Sequence, residues 1–425
     1  MLVLLFVLVT ILMVVGMPVA LAMGLSALVV VLLKGETSPM VLAQRMFVGV
    51  DSLPLLAIPY FILAGALMEA GGISVRLIRF ASTLVGHIRG GLGMVAVVAS
   101  MIFAGISGSA AADTSAIGSI MMPAMVKAGF PKRFGAGVIT TSGSLGILIP
   151  PSIPMVIYCV ATNSSVGALF MGGVVPGLML ATLLGLVAWY LAKKNNYPRL
   201  PKATFAERFK AFRESVWGLL LIVIVLGGIY SGIFTPTEAA AVSAVYAFVI
   251  AVFVYRDVPF SRIPKVLLDS ASMSAMLLYI ITNAVLFSFL MTHENIPQIM
   301  ADWILGHNLG VISFLLVTNV LLLLAGNVME PSSIILILAP ILFPVAMKLG
   351  IDPVHFGVLI TVNMEVGMCH PPVGLNLYVA SGITKMGISE LTVAVLPWLL
   401  AMLGFLILVT YVPIISLWLP RLLGY

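Results

Sequence analysis

The chain has 425 residues, of which 61% are apolar and only 8% charged, with a formal net charge of +6. Soluble domains carry roughly a quarter charged residues, so this composition excludes a water-soluble globule. It also excludes a β-barrel, whose strands alternate polar and apolar positions, and the small positive excess reads as membrane topology rather than nucleic-acid binding.

A bilayer-spanning helix takes about 20 apolar residues. Runs of that kind predict helices near 1–15, 18–34, 52–71, 135–160 and 166–193. Met1 to Val15 lacks the charged leader and cleavage site of a signal peptide, and is expected to be the first membrane helix. Arg76–His87 is expected to be an interfacial helix. The apolar stretch 91–127, interrupted at its middle by small and polar residues, reads as a re-entrant hairpin. In Tyr197–Trp217, Phe205, Phe209 and Phe212 recur at helical spacing among Glu207, Arg208, Lys210 and Arg213. This fits either an amphipathic helix lying on the cytoplasmic surface or a solvated linker. Further helices are predicted near 216–232, 236–254, 268–290, 355–379 and 391–417, with a second hairpin over 310–347 and a second interfacial helix at Pro297–Leu305. Cys159 and Cys369 lie in apolar runs and fit no disulfide framework or zinc spacing.

The chain contains itself twice. Displaced by 221 positions without gaps, Ala104-Gly105 meets Ala325-Gly326, Ile120 meets Ile341, Pro123 meets Pro344, and Lys127 meets Lys348. Gly129 meets Gly350, Ile139-Thr140 meets Ile360-Thr361, Gly146 meets Gly367, and Pro150-Pro151 meets Pro371-Pro372. Shared apolar composition does not align a double proline, three glycines and a lysine, so an internal duplication is inferred. The expected organisation is a first repeat over 1–195, a cytoplasmic linker over 196–215, and a second repeat over 216–425. Each repeat holds five crossings plus a hairpin. Five is odd, so the second repeat is expected to be inverted, as is common in secondary transporters. With both termini outside, seventeen of the 21 Lys and Arg fall inside and four, Lys34, Arg45, Lys348 and Arg421, outside. The positive-inside rule supports that orientation.

Backbone at membrane depth must satisfy its own hydrogen bonds unless it lines a protein or aqueous cavity. Four segments are expected to break this regularity: Gly105–Asp113, Thr140–Gly146 ahead of Pro150-Pro151, Gly326–Ser333, and Asn363–Gly367 ahead of Pro371-Pro372. Double prolines remove donors and free carbonyls a turn earlier. With serine, threonine and asparagine beside them, such carbonyls make an oxygen cage suited to a hard monovalent cation such as Na+, whereas zinc or copper would want His or Cys. Helix N-termini at the hairpin tips offer positive dipole ends to a carboxylate substrate. Asp113, Glu330 and Glu365 are ionisable groups inside apolar stretches, which are functional by default. Helix capping is the alternative reading for each. The neighbours Cys369 and His370 point in different directions on a helix and are not expected to form a catalytic dyad. No phosphate-binding loop and no H-E-x-x-H motif occurs, which argues against nucleotide hydrolysis and an intramembrane metalloprotease.

At these residues the sequence resembles the large membrane subunit of tripartite ATP-independent periplasmic (TRAP) transporters. The resemblance covers essentially the whole chain. It is most specific at Gly105–Met122, at Gly137–Tyr158 with I-T-T-S-G-S-L-G-I-L-I-P-P-S, at Thr235–Ala241, and at Gly326–Tyr378 with G-N-V-M-E-P-S-S and V-N-M-E-V-G-M-C-H-P-P-V-G-L-N. The resemblance implies an all-α, ion-transporter-like elevator fold of two inverted repeats in the bacterial inner membrane. It implies a sodium-driven, non-enzymatic importer of organic acids, C4-dicarboxylates and sialic acid among them. Its partners would be a small four-helix membrane subunit, a soluble periplasmic binding protein and membrane lipid, with no ATP and no nucleic acid. By the same resemblance, two or more Na+ sites would involve Ser107, Ser109, Ser142, Gly143, Gly146 and Pro150 in the first repeat, and Asn327, Asn363, Gly367 and Pro371 in the second. The anion would be held among Ser107, Gly108, Ser109, Ala110, Asp113, Ser144, Pro151, Glu330, Pro331, Ser332 and Pro372. A stand-alone exchanger or channel needing no binding protein is the alternative.

Overall fold

The apolar runs fold as helices in the computed structural model, which describes residues 2–35, 38–295, 310–327, 329–371 and 374–424, with single positions at 298, 299, 302 and 306. Among the described residues there is no strand. Among the described residues, seven helices are long and apolar enough to cross a membrane: Leu53–Ala70, Val166–Lys194, Phe205–Tyr230, Pro236–Val254, Phe260–His293, Pro331–Lys348 and Ile388–Tyr411. The expected interfacial helix Pro297–Leu305 falls largely outside the described residues.

Several element bounds recur at one fixed interval. One helix runs Ala110–Lys127 and another Pro331–Lys348, so both ends are 221 apart. The helices beginning at Lys132 and at Pro353 keep the same interval. The first hairpin comprises Gly91–Ser107 and Ala110–Lys127; the second comprises Val311–Gly326 and Pro331–Lys348. Their first arms end at Ser107 and Gly326, only 219 apart, so the second tip is two residues longer than the first. The sequences align without a gap here, so no residue is inserted: the second arm simply leaves the helix two residues earlier than the first.

Three differences from the sequence reading have physical causes. Pro39–Val50 is a helix that the sequence did not announce, because Gln44 and Arg45 interrupt its apolar run. The segment around Phe205 is no separate surface helix. A capping box of Thr204 and Glu207 starts a helix at Phe205, no glycine or proline stops it before Trp217, and it continues unbroken to Tyr230. Phe205 and Phe209 remain exposed on its first turns. Leu2–Val14 and Val19–Lys34 have 13 and 16 residues. At 1.5 Å per residue they reach about 20 and 24 Å, short of a hydrocarbon core of about 30 Å.

The helix Ile73–Val85 buries Ile73, Leu77 and Ala81, a stripe at intervals of four. Its outer face is tied down by ion pairs. Arg76 reaches Asp257 at 2.7 Å and stacks 3.8 Å from the centre of the Tyr255 ring, while Arg79 reaches Glu214 at 2.7 Å.

Candidate functional site

Each hairpin tip packs against a helix that is broken ahead of a double proline. The first broken helix runs Lys132–Gly143, tightens to a 3₁₀ turn over Ser144–Ile147, and resumes at Ile153–Thr162. The second runs Pro353–Cys369 and resumes at Leu375–Thr384. The breaks therefore fall later than the sequence suggested: Thr140–Gly143 and Asn363–Gly367 are helical. A residue before proline is pushed out of the helical region, which places the break at the prolines. The upstream threonines meanwhile donate back to the helix, Thr140 to the Ala136 carbonyl at 2.7 Å and Thr361 to that of Gly357 at 2.8 Å.

The first tip turns in two residues. Gly108 takes a left-handed φ of 63°, and a side chain there would meet the Pro151 carbonyl at 2.8 Å. Ser109 is the extended N-cap of Ala110–Lys127 and donates its backbone N–H to Ser107 Oγ at 3.2 Å. The Ser107 hydroxyl donates to Asp113 Oδ1, so this carboxylate braces the tip. Asp113 is fully buried, and its Oδ2 has no hydrogen-bond partner. Gly146 lies against that oxygen, because a Cβ on Gly146 would sit 2.5 Å from it and 2.8 Å from the Ser109 carbonyl carbon. Gly143 lies similarly against Thr114, whose buried hydroxyl also lacks a partner. Ser142 Oγ lies 3.2 Å from Ser100 Oγ on the first arm. Pro150 and Pro151 complete the loop under the tip, joined by a cis peptide bond. Ala110 is buried at the first turn of its helix.

The second tip is built differently. Glu330 is the N-cap of Pro331–Lys348, accepting from the Ser333 N–H at 2.9 Å and the Ser333 hydroxyl at 3.0 Å. Its observed role is thus the cap. Pro331 and Ser332 are buried in the first turn. Asn327 Oδ1 pairs with His370 Nδ1 at 2.8 Å, while Cys369 points elsewhere, to the Thr140 carbonyl at 3.5 Å. Gly326 and Gly367 bring their backbones together, since a Cβ on either would come within 2.9 to 3.0 Å of the other's Cα. Asn363 donates to Asn319 Oδ1 at 2.7 Å and leaves its own buried Oδ1 unpartnered. Pro371 is partly buried beside His370, and Pro372 lies outside the described residues.

Between the two breaks the repeats touch. The Ser144 hydroxyl lies 3.0 Å from Glu365 Oε1 and 2.7 Å from the Thr141 carbonyl. Glu365 is fully buried and its Oε2 has no partner. Because the first broken helix ends at Gly143, carbonyls of its last turn lack intrahelical donors. The Thr140 carbonyl instead accepts from Asn376 Nδ2 at 3.3 Å, and Asn376 keeps an unpartnered Oδ1. Asn319 and Asn376 were not singled out in the sequence, although polar amides inside apolar helices are the signal that would have found them.

Around the two breaks, four buried carboxylate and amide oxygens lack a partner: Asp113 Oδ2, Asn363 Oδ1, Glu365 Oε2 and Asn376 Oδ1. Buried acceptors without donors are costly in an apolar interior, and a small hard cation satisfies them.

The family described as "Tripartite ATP-independent periplasmic transporter, DctM component" matches residues 6–415. The C4-dicarboxylate TRAP transporter large permease protein DctM of Rhodobacter capsulatus is 61% identical over 427 residues, covering 97% of each chain. The protein of the same description from Pseudomonas aeruginosa is 53% identical, covering 95% of this chain and 94% of its own. Among solved structures, the YdaH transporter of Alcanivorax borkumensis superposes with a TM-score of 0.66 at 17% identity, over 90% of this chain and 89% of that one, a likeness of fold. With a family match that spans almost the full length and relatives more than half identical, this multi-pass membrane chain belongs to the DctM component family of tripartite ATP-independent periplasmic transporters, whose members are permeases and not enzymes.

Proposed function

We propose that this chain imports C4-dicarboxylates across a bacterial inner membrane, driven by a sodium gradient. In this reading it pairs with a small four-helix membrane subunit and receives its substrate from a soluble periplasmic binding protein. The substrate class is the one for which the relatives at 61% and 53% identity are named. The sodium coupling is supported chiefly by one observation, the set of orphaned buried oxygens at both broken helices.

The proposed mechanism assigns roles to this chain's own residues. Na+ binds near Ser107, Ser109, Ser142, Gly143, Gly146 and Pro150 at the first tip, and near Asn327, Asn363, Gly367 and Pro371 at the second. Its charge draws the dicarboxylate to the N-terminal ends of the helices starting at Ala110 and Pro331, where backbone N–H groups accept anions. Gly108 lets the tip approach the double proline, and Asp113 keeps Ser107 in place. The two repeats are inverted relative to one another, with both termini periplasmic. The hairpins and broken helices move together as an elevator against the remaining helices. The spacing of 221 between matched elements supports the duplication, and an odd number of crossings inverts the second copy.

The test is reconstitution into vesicles. Uptake of labelled succinate is expected only with the small subunit, the binding protein and inward Na+ together. Uptake that survives omission of the binding protein would replace this reading with a stand-alone exchanger, and uptake that survives replacing Na+ with K+ would remove the sodium coupling.

A further inference from the structure

Two cavities, of about 130 and 510 Å³, share the residues Ala66, Glu69 and Asp269. The smaller reaches Ser107 and Ser109 at the first hairpin tip, and the larger ends at Arg262 and Lys265. Together they form a passage between the helices Ala57–Ala70 and Ile263–His293 that leads from the surface to the tip. Gly65 sits where that tip meets its helix, 3.3 Å from the Ser107 Cα when given a Cβ. Glu69 follows one turn later on the same face.

The charges in this passage are unusual. Asp269 lies inside Phe260–His293 and Glu69 is the penultimate residue of Leu53–Ala70, two segments long and apolar enough to span a membrane; both residues are exposed, and ionisable groups in such segments mark pathways that water reaches. Among the described ion pairs, none involves Glu69, Asp269, Arg262 or Lys265, although all four line one cavity. Beside Asp269, Ser270 is 5% exposed, lines the inner cavity, and has a hydroxyl with no partner. Its backbone carbonyl is already taken by the Ser274 hydroxyl at 2.8 Å. A buried hydroxyl left unsatisfied is expensive, and this one borders a space with room for a small ion and a few waters.

We propose that Glu69, Asp269 and Ser270 form a staging site for a monovalent cation between the first hairpin tip and the cytoplasmic mouth. The proposal rests on the sodium coupling proposed above and adds a site outside the hairpins and broken helices. Two carboxylates and a hydroxyl oxygen suit Na+ as donors. They repel an anion at the narrow inner end, whereas Arg262 and Lys265 stand at the outer end. The site gives Na+ leaving the tip a place to halt, and lets cytoplasmic Na+ occupy the route from below.

The experiment uses the complete transporter in proteoliposomes. Binding protein is added outside only, so that one orientation is read, and Na+ is loaded inside at graded concentrations. Uptake by the unaltered complex is expected to fall as luminal Na+ rises. Glu69→Gln and Asp269→Asn are each expected to raise the luminal Na+ for half-inhibition about fivefold, the change for one unit charge lost at about 4 Å in water-like surroundings. Unchanged luminal dependence in both variants overturns the proposal. A second measurement does not need those substitutions. Ser270→Cys is expected to react with a small cationic thiol reagent more slowly in Na+ than in choline, against a background of two buried native cysteines. Equal rates overturn the site. If uptake by the unaltered complex ignores external Na+, the sodium coupling fails instead, and the labelling arm still reads whether a cation binds at Ser270.

Discussion

Ser144 and Glu365 touch through their side chains at 3.0 Å, and they are 221 positions apart, the same interval that separates the matched helices of the two repeats. Equivalent positions of two copies meet only near the axis that relates them. The contact is therefore the one that the proposed two-fold relation requires at its centre, and it joins the two broken helices there. Replacing Ser144 by Ala and Glu365 by Ala, singly and together, is expected to give a coupling energy of about 1 kcal/mol in thermal or denaturant unfolding of the purified protein. Additive effects would mean that the contact stores no energy.

The close approach of Gly326 and Gly367 leaves no space for a methyl group on either side. Gly367→Ala is expected to push the second tip from its broken helix, at a cost of about 1–3 kcal/mol. Na+-dependent uptake should fall more than protein abundance. Uptake per molecule equal to that of the unaltered protein would show that this packing is not needed for transport.

At the first tip, Ser107 both braces Asp113 and accepts from the Ser109 N–H. Ser107→Ala is expected to raise the Na+ concentration for half-maximal uptake about fivefold, equivalent to losing one hydrogen bond of about 1 kcal/mol. Asn327→Ala should shift the same quantity at the second tip, where Asn327 pairs with His370. Unchanged Na+ dependence in both would take these residues out of the cation sites.

Glu330 caps its helix through Oε1, which takes both bonds from Ser333. Glu330→Gln keeps an acceptor oxygen and should stay within a few tenths of a kcal/mol of the original stability. Glu330→Ala should lose about 1 kcal/mol. A Gln variant that folds normally yet cannot transport would restore a direct role for the negative charge.

The sequence disclosed the helical architecture, both hairpins and both double prolines, because length, apolarity and the loss of backbone donors act locally. Pro39–Val50 was hidden by Gln44 and Arg45, which look like loop residues until Arg45 is seen lying 4.8 Å from the centre of the Phe289 ring. Thr140 and Asn363 suggested irregular backbone by composition, but side-chain bonds to the preceding turn keep that backbone helical. The Ser144–Glu365 contact and the passage at Glu69 and Asp269 join residues roughly two hundred positions apart, and only tertiary structure brings such residues together.

The first arm keeps two residues helical past Gly105, Ile106 and Ser107, whereas the second arm ends at Gly326, the counterpart of Gly105. One turn is short and clamped by an internal carboxylate; the other is longer, capped at its far end and latched by an imidazole. Segments alike in sequence thus end in two unlike turns. Two segments that align residue for residue close in different ways, and a substitution at one turn has no equivalent at the other.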